Sequence, residues 1–345
     1  MILAGDIGGT KTTLALYDWL TERVEPTREQ TFVSADYKSL DEIVEEFLAP
    51  PPPPKHEAGE KALEPERPPK IEAACFGVAG PVIENRSRLT NLPWVVDGPN
   101  LGEKFSISRV RLLNDLEATA YGMLVLRSDE TESLNAGTPP KTKGALALIA
   151  AGTGLGEAIL FWDDTTYKPM PSEGGHCSFA PTSSEEMELL RYLRAQYMHV
   201  SYQHVLSGRG LHAIYEFLRD TKRNEPTWLA EKINVGDPPA IIAEAGLKKQ
   251  AEIAVQALDL FTTIYGAEAG NLALKALALD GLYIGGGIAP KILAKLKEGV
   301  FMKAFADKGP FKKLLGAIPV RVILNPKAAL LGAASVAAQL QREGA

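Results

Sequence analysis

The chain opens as a strand, Ile2-Leu3-Ala4-Gly5-Asp6-Ile7, that turns through Gly8-Gly9-Thr10 and returns as a second strand, Lys11-Thr12-Thr13-Leu14-Ala15-Leu16-Tyr17. The same shape recurs near the middle, where Leu146 to Ala151 runs into Gly152-Thr153-Gly154 and returns through Leu155 to Leu160. Two strand–glycine turn–strand units in one chain predict two related halves that face each other, with both turns directed into one cleft. A glycine turn lets backbone N–H groups approach an anion closely, and hydroxyls at Thr10, Thr12 and Thr13 add donors, so each turn is a candidate phosphate holder. Plain Gly-Gly hairpins without a ligand are the other reading of these segments. A third cluster, Gly285-Gly286-Gly287, follows the short apolar strand Leu282-Tyr283-Ile284 and precedes a helix expected from Lys291. Bare backbone of that kind suits a flat ligand such as a nucleobase. Neither GxxxxGK[ST] nor GxGxxG occurs, which argues against a P-loop NTPase and against a dinucleotide fold.

Taken in order, Asp6-Ile7-Gly8-Gly9-Thr10, Ala79-Gly80-Pro81, Gly152-Thr153-Gly154 and Gly285-Gly286-Gly287 resemble the turns of the sugar kinase, actin and heat-shock chaperone superfamily. Narrower matches are Leu89-Thr90-Asn91-Leu92-Pro93-Trp94, Leu113-Asn114-Asp115, Ser172-Glu173-Gly174-Gly175-His176, Val205-Leu206-Ser207-Gly208-Arg209-Gly210 and Asp307-Lys308-Gly309-Pro310-Phe311. Together they resemble the bacterial ATP-dependent glucokinase family nearly end to end. The resemblance implies a two-domain α/β fold, actin-like (ribonuclease H-like), with a deep interdomain cleft. It also implies that the last helix packs back onto the N-terminal domain. The expected division is a small domain, 1–124 plus 326–345, and a large one, 125–325.

The coarse pattern fits an α/β chain. Ser39-Leu40-Asp41-Glu42 reads as a capping box opening an amphipathic helix through Phe47 and Leu48. Eight of the 24 prolines fall between residues 50 and 70 among many charges, a composition read as a solvated surface insertion because the strand Ala73 to Ala79 resumes directly afterwards. Val110 to Leu113 predicts a strand leading into a helix near Leu116 to Leu126. Residues 183–280 read as mostly helical, with a break around Gly266 and Gly270. A strand at Val320 to Leu324 and an alanine-rich helix from Ala328 to Leu340 follow.

A chain of 345 residues suits two cores. Its net charge of −6, with both signs interspersed, leaves no basic stripe for nucleic acid. No apolar run approaches the roughly 20 residues that cross a bilayer, so no membrane association and a cytoplasmic location are expected. Cys75 and Cys177 read as buried or bystander thiols, too few for structural zinc.

Phosphoryl transfer to an alcohol needs a carboxylate to take the hydroxyl proton, and Asp115, at a strand-to-helix junction, is the candidate base. Local sequence alone favours Asp115 as a helix N-cap; the resemblance reverses that preference and gives Asn114 the sugar hydroxyls. Glu173 and His176, in a glycine-rich turn, suit a polyol, since a carboxylate accepts hydroxyl hydrogens and an imidazole donates. Asn91 joins this sugar set by resemblance. Gln203, expected in a helix leading to Val205, stands where relatives carry a sugar-binding glutamate. Asp6 is the candidate for organising Mg2+, through water, with a turn-forming Asp as the alternative. ATP is assigned to Gly5, Asp6, Gly8, Gly9, Thr10, Lys11, Gly152, Thr153, Gly154, Gly286 and Gly287, with solvent as the other place for Lys11. The expected activity is transfer from ATP to the 6-hydroxyl of glucose by a homodimer. The alternatives are a kinase of mannose, fructose or an N-acetylated sugar, and a sugar-sensing protein without turnover.

Overall fold

The computed structural model describes residues 1–19, 22–50, 70–222 and 224–343. The proline-rich segment 51–69, read above as an insertion, lies outside them. The chain divides into two compact units, Met1–Val125 with Lys327–Ala345, and Leu126–Pro326.

In the first unit, β1 (Ile2–Ile7), β2 (Lys11–Tyr17) and β3 (Arg28–Val33) form an antiparallel meander. Helix α1 (Leu40–Leu48) follows, and then β4 (Ala73–Val78). A small sheet of β5 (Val82–Ile83), β6 (Arg86–Arg88) and β7 (Val95–Asp97) leads to α2 (Gly98–Phe105), β8 (Arg109–Asn114) and α3 (Asp115–Met123). The main sheet has the order β3-β2-β1-β4-β8, with β4 parallel to both β1 and β8. Side chains alternate across a strand, so β1 splits its residues between two cores. Leu3 and Ile7 pack with Phe32, Ile43, Val44 and Phe47, whereas Ile2 and Ala4 pack with Cys75, Leu113 and Ala118. Asp6 falls on the second face, which α3 and the chain's last helix cover.

Two local expectations change. Ser39 is the N-cap of α1 but makes no side-chain cap bond, and the Glu42 carboxylate reaches back one residue further, accepting the Lys38 N–H at 2.8 Å. Helix α3 begins at Asp115 and stops at Met123, short of Leu126.

The second unit holds β9 (Thr131–Asn135), β10 (Leu146–Ala151), β11 (Leu155–Trp162) and β12 (Tyr167–Ser172). Helices α4 (Ser184–Arg194), α5 (Gly208–Lys222), α6 (Thr227–Val235), α7 (Pro238–Leu247) and α8 (Glu252–Ala276) come next. The chain continues through β13 (Gly281–Gly285), α9 (Leu293–Leu296), α10 (Val300–Ala306), α11 (Lys312–Gly316) and β14 (Val320–Ile323). The sheet order is β12-β11-β10-β13-β14-β9. Its first five strands repeat the first unit's sequence of senses: two antiparallel pairs, then two parallel pairs. The edge strand β9 is an addition that the motifs did not signal.

Helix α8 runs unbroken through Gly266 and Gly270, against the break expected there. A Cβ at Gly266 would collide with the Phe301 carbonyl, and one at Gly270 with that of Phe305. Spaced four apart, the glycines form a notch into which α10 settles, and that packing outweighs the roughly 1 kcal/mol each glycine costs a helix. The turn after β13 leads to the single-turn helix α9, which begins at Leu293 and not at the expected Lys291.

After Pro326 the chain returns to the first unit as α12 (Ala328–Arg342). Leu330, Ala333, Ala334 and Ala337 fill the core against Ile2, Ala4 and Cys75. Helices α3 and α12 meet at glycines on both sides: a Cβ on Gly122 would strike the Ala328 carbonyl, and one on Gly332 the Ala118 carbonyl.

Candidate active site

In the first unit the glycine turn is closed by a 2.9 Å hydrogen bond from Gly8 N–H to the Lys11 carbonyl. Ser34 Oγ donates to the Gly8 carbonyl at 2.8 Å. Thr10 and Lys11 are exposed, but Thr12 is buried with its hydroxyl 3.0 Å from that of Ser34. Thr13 pairs with Thr31 across the sheet. Of the three threonines expected to hold phosphate, Thr10 alone stands in the turn with its side chain in solvent; strand alternation commits the other two to sheet contacts. Asn91 lies against this turn, since a Cβ on Gly9 would come 2.8 Å from the Asn91 Cβ.

Asp6, next to last in β1, is in register with Gly77 on β4, and Gly77 with Leu113 on β8. A Cβ on Gly77 would sit 2.8 Å from Ala118 Cβ and 4.0 Å from Asp115 Cα, so the bare glycine admits the first turn of α3 beside Asp6. Burial, and then the Asp115 charge, push the Asp6 carboxyl up to about 6. Asp115 itself is exposed at the start of α3. The N-cap is Asn114, not Asp115: its Oδ1 accepts the Leu116 N–H at 2.9 Å, and its Nδ2 donates to the Gly80 carbonyl at 3.2 Å. Asp115 Oδ1 accepts that same N–H at 2.8 Å. Asn114 is thereby fixed at both ends of its amide, and Asp115 is held where a strand gives way to a helix N-terminus.

In the second unit three turns converge. Gly152 N–H donates to the Gly154 carbonyl at 2.8 Å, and the Gly152 carbonyl accepts the Gly208 N–H at the start of α5 at 2.9 Å. Ile288 N–H reaches the Ala151 carbonyl at 3.3 Å. Gly286, at φ 81°, lies so close to Ala151 that a Cβ would collide with its carbonyl. No heavy atom lies within 4 Å of where a Cβ of Gly152 or Gly287 would stand, which leaves bare backbone free for a ligand. Gly208 was only part of a motif in the sequence; its place beside Gly152 adds the N-terminus of a 15-residue helix, favourable to anions, to the turn.

Glu173 and His176 are both exposed on one 3-10 turn, Gly174–His176, where His176 N–H donates to the Glu173 carbonyl at 3.0 Å. That turn lies beside the segment carrying Gln203, because Tyr202 N–H donates to the Cys177 carbonyl at 3.0 Å and Ser178 bridges to Ser201. Gln203 stands on a 3-10 turn, Tyr202–His204, rather than on a helix. Its Oε1 accepts the Leu155 N–H at 3.2 Å and abuts Gly154, so it touches the glycine turn.

A glucokinase family model matches residues 3–340. The chain belongs to the glucokinase family. It is 42% identical to the glucokinase of Trichormus variabilis over 357 aligned residues, 99% of each chain. Against the Synechocystis glucokinase it is 42% identical, with 98% of each chain covered. Its structure matches the crystal structure of a glucokinase from an Antarctic psychrotroph with TM-score 0.81 at 30% identity, covering 98% of each chain. The fold is that of the actin-like sugar kinases. As in the sequence reading, it is built on two sheets of one pattern.

Cys75 is buried, Cys177 is exposed, and both are free thiols. Among the described residues, no group of three or more His, Cys, Asp or Glu side chains is placed to hold a metal. No described helix is long and apolar enough to cross a membrane. A groove of about 700 Å³ in the first unit, lined by Asn85, Gly98, Glu103 and Arg109 among others, includes none of the site residues above.

Proposed function

We propose that the chain transfers the γ-phosphoryl group of ATP to the 6-hydroxyl of glucose, with Asp115 as the general base. The observation that carries this reading is the position of Asp115: an exposed carboxylate where β8 gives way to α3, near enough to Asp6 by the glycine turn for its charge to be felt there. As the new oxygen–phosphorus bond forms, the hydroxyl proton passes to the Asp115 carboxylate and the bond to the ADP oxygen breaks, giving glucose 6-phosphate and ADP. The turns Gly8 to Thr10 and Gly152 to Gly154 hold phosphate oxygens through the amides of Gly9, Thr10, Thr153 and Gly154, since those of Gly8 and Gly152 close their own turns, and Gly286 and Gly287 receive the base. Asn91, Asn114, Glu173 and His176 take the sugar hydroxyls; Asn114, with its amide fixed, offers one remaining N–H and a lone pair.

Magnesium takes one or two protein carboxylates beside nucleotide phosphates, and Asp6, at a glycine turn with Asp115 near it, fits that requirement. When bound, the ion would neutralise charge on the phosphate oxygens. Location in the cytoplasm and assembly as a homodimer complete the proposal.

Asp115→Asn should keep the fold and glucose binding but lower kcat by roughly 10²-fold or more, as loss of a general base does. A coupled assay on glucose, mannose, fructose and N-acetylglucosamine reads this and the sugar preference together. Near-normal turnover in folded Asp115→Asn removes the base assignment, and a higher kcat/KM on another hexose replaces glucose.

A further inference from the structure

Beneath the Glu173–His176 turn lies a group of buried side chains that the transfer reaction does not use. Glu157 on β11 is 2% exposed and Glu268 on α8 is 0% exposed. Glu157 is in register with Ile149 on β10 and Ser172 on β12. Its Oε2 occupies the space a Cβ on Gly174 would need, so the turn rests directly on this carboxyl. Ser172 Oγ donates to the Glu157 carbonyl at 2.9 Å and accepts from Gly174 N–H at 3.2 Å, a second tie between strand and turn.

The two carboxyls are served unequally. Glu268 accepts from Asn271 Nδ2 at 2.8 Å, from Lys275 Nζ at 3.2 Å and from the Tyr202 hydroxyl. Glu157 Oε1 is buried and faces no N–H or hydroxyl donor. Ionising both would put two negative charges side by side in a dry interior, with Lys275 as the cation paired to Glu268. A proton held by Glu157 and shared with Glu268 removes that conflict. The other titratable groups around the pair are Tyr265 on α8, Tyr202 on its 3-10 turn, Cys177 after the sugar turn, and Lys308, whose side chain packs by Gly270.

We infer that Glu157 is a positioning residue for the sugar turn, holding Glu173 and His176 in place through a proton shared with Glu268, so that sugar is gripped only while that proton is present. The inference rests on the assignment of Glu173 and His176 to the sugar. Burial, and then the Glu268 charge, push the Glu157 carboxyl up to about 8, which sets the range to examine.

The test is the KM for glucose, with ATP saturating, from about pH 6 to about pH 9.5 on the full chain. The competent fraction falls as the proton leaves, so KM should rise about tenfold one pH unit above the midpoint, with kcat changing far less. Glu157→Gln keeps a neutral donor of the same shape and should give a KM flat across this range. Glu157→Ala should raise KM already at neutral pH, and the Gln variant should restore most of that loss. A flat KM in the unsubstituted chain, or the same alkaline rise in Glu157→Gln, overturns the inference. Glu173→Gln and His176→Ala are the separate control: if neither changes the glucose KM, the sugar assignment itself fails. If they raise it while the Glu157 results disagree, only the positioning role fails.

Discussion

The Asp6 carboxyl stands near 6 instead of the usual 3.8, first because it is buried and then because the Asp115 charge, following β8 on the far side of β4, repels its own. Nucleotide binding that depends on magnesium should therefore weaken as pH falls through about 6 and Asp6 takes up a proton. In Asp115→Asn the repulsion is gone, so the midpoint should move to lower pH; calorimetric titration of ATP with magnesium measures both, and an unmoved midpoint would refute the coupling. Both Asp6 and Glu157 hold protons more tightly folded than unfolded, so each takes away stability as pH rises, to about 6 for Asp6 and about 8 for Glu157. Glu157→Gln should accordingly melt higher than the unsubstituted chain at alkaline pH, with the difference shrinking toward acid pH. Gln203 offers another residue-level test. Its Oε1 is taken by the Leu155 N–H, which leaves the amide N–H₂ to a ligand. Gln203→Ala should lower kcat/KM about fivefold, the loss of roughly 1 kcal/mol of hydrogen bonding. Gln203→Glu keeps an acceptor and restores the residue expected in relatives: a glucose KM changed in either variant marks a sugar contact, a raised ATP KM in the alanine variant alone marks support of the glycine turn, and less than about twofold in either excludes both roles. Motif order and the resemblance it carries made Asp115, Glu173 and Gln203 candidates, because glycine turns and strand ends are local, although local sequence alone read Asp115 as a helix cap. Glu157 and Glu268 were invisible there, since each looks like an ordinary polar residue until folding buries the two together.

At the scale of elements, the tightest constraint is the crossing of α3 and α12, where each helix presents a glycine to the other's backbone. Gly332→Ala should cost about 1–3 kcal/mol from overpacking and lower the melting temperature by several degrees. Gly316→Ala, on a helix where an added methyl meets nothing within 4 Å, is the control and should be neutral or slightly stabilising. Equal effects from the two would mean that the helices separate without cost. The hairpins β1–β2 and β10–β11 were readable because alternation and a glycine turn fix them within about fifteen residues. Gly266 and Gly270 misled for the opposite reason: they look like a helix break, yet their partner is the backbone of α10, and no local rule carries that information. Thr12 and Thr13 are the same lesson in a strand, where neighbours on β3 and in the Ser34 turn claim hydroxyls that looked available to phosphate.

Across the whole molecule, the repeated order of strand senses gives each unit its own core, but the units are closed differently. The second is a continuous stretch, Leu126–Pro326, whereas the first needs α12 from the far end of the chain. A chain ending at Pro326 should leave the face formed by Ile2, Ala4, Ala73 and Cys75 uncovered. Hydrogen exchange should then show β1, β2 and β4 losing protection while β10, β13 and α8 keep theirs; protected β1 amides in the shortened chain would contradict this. The same return of α12 sets an order of events during synthesis. Strands β1, β2 and β4 leave the ribosome early but cannot complete their core until residues after Pro326 have emerged. At roughly 5–20 residues per second, the wait lasts on the order of tens of seconds. The second unit, whose β14 ends at Ile323, can close its sheet only just before α12 emerges, so the half made first is still the half finished last, and during that interval its apolar face is what a chaperone would meet.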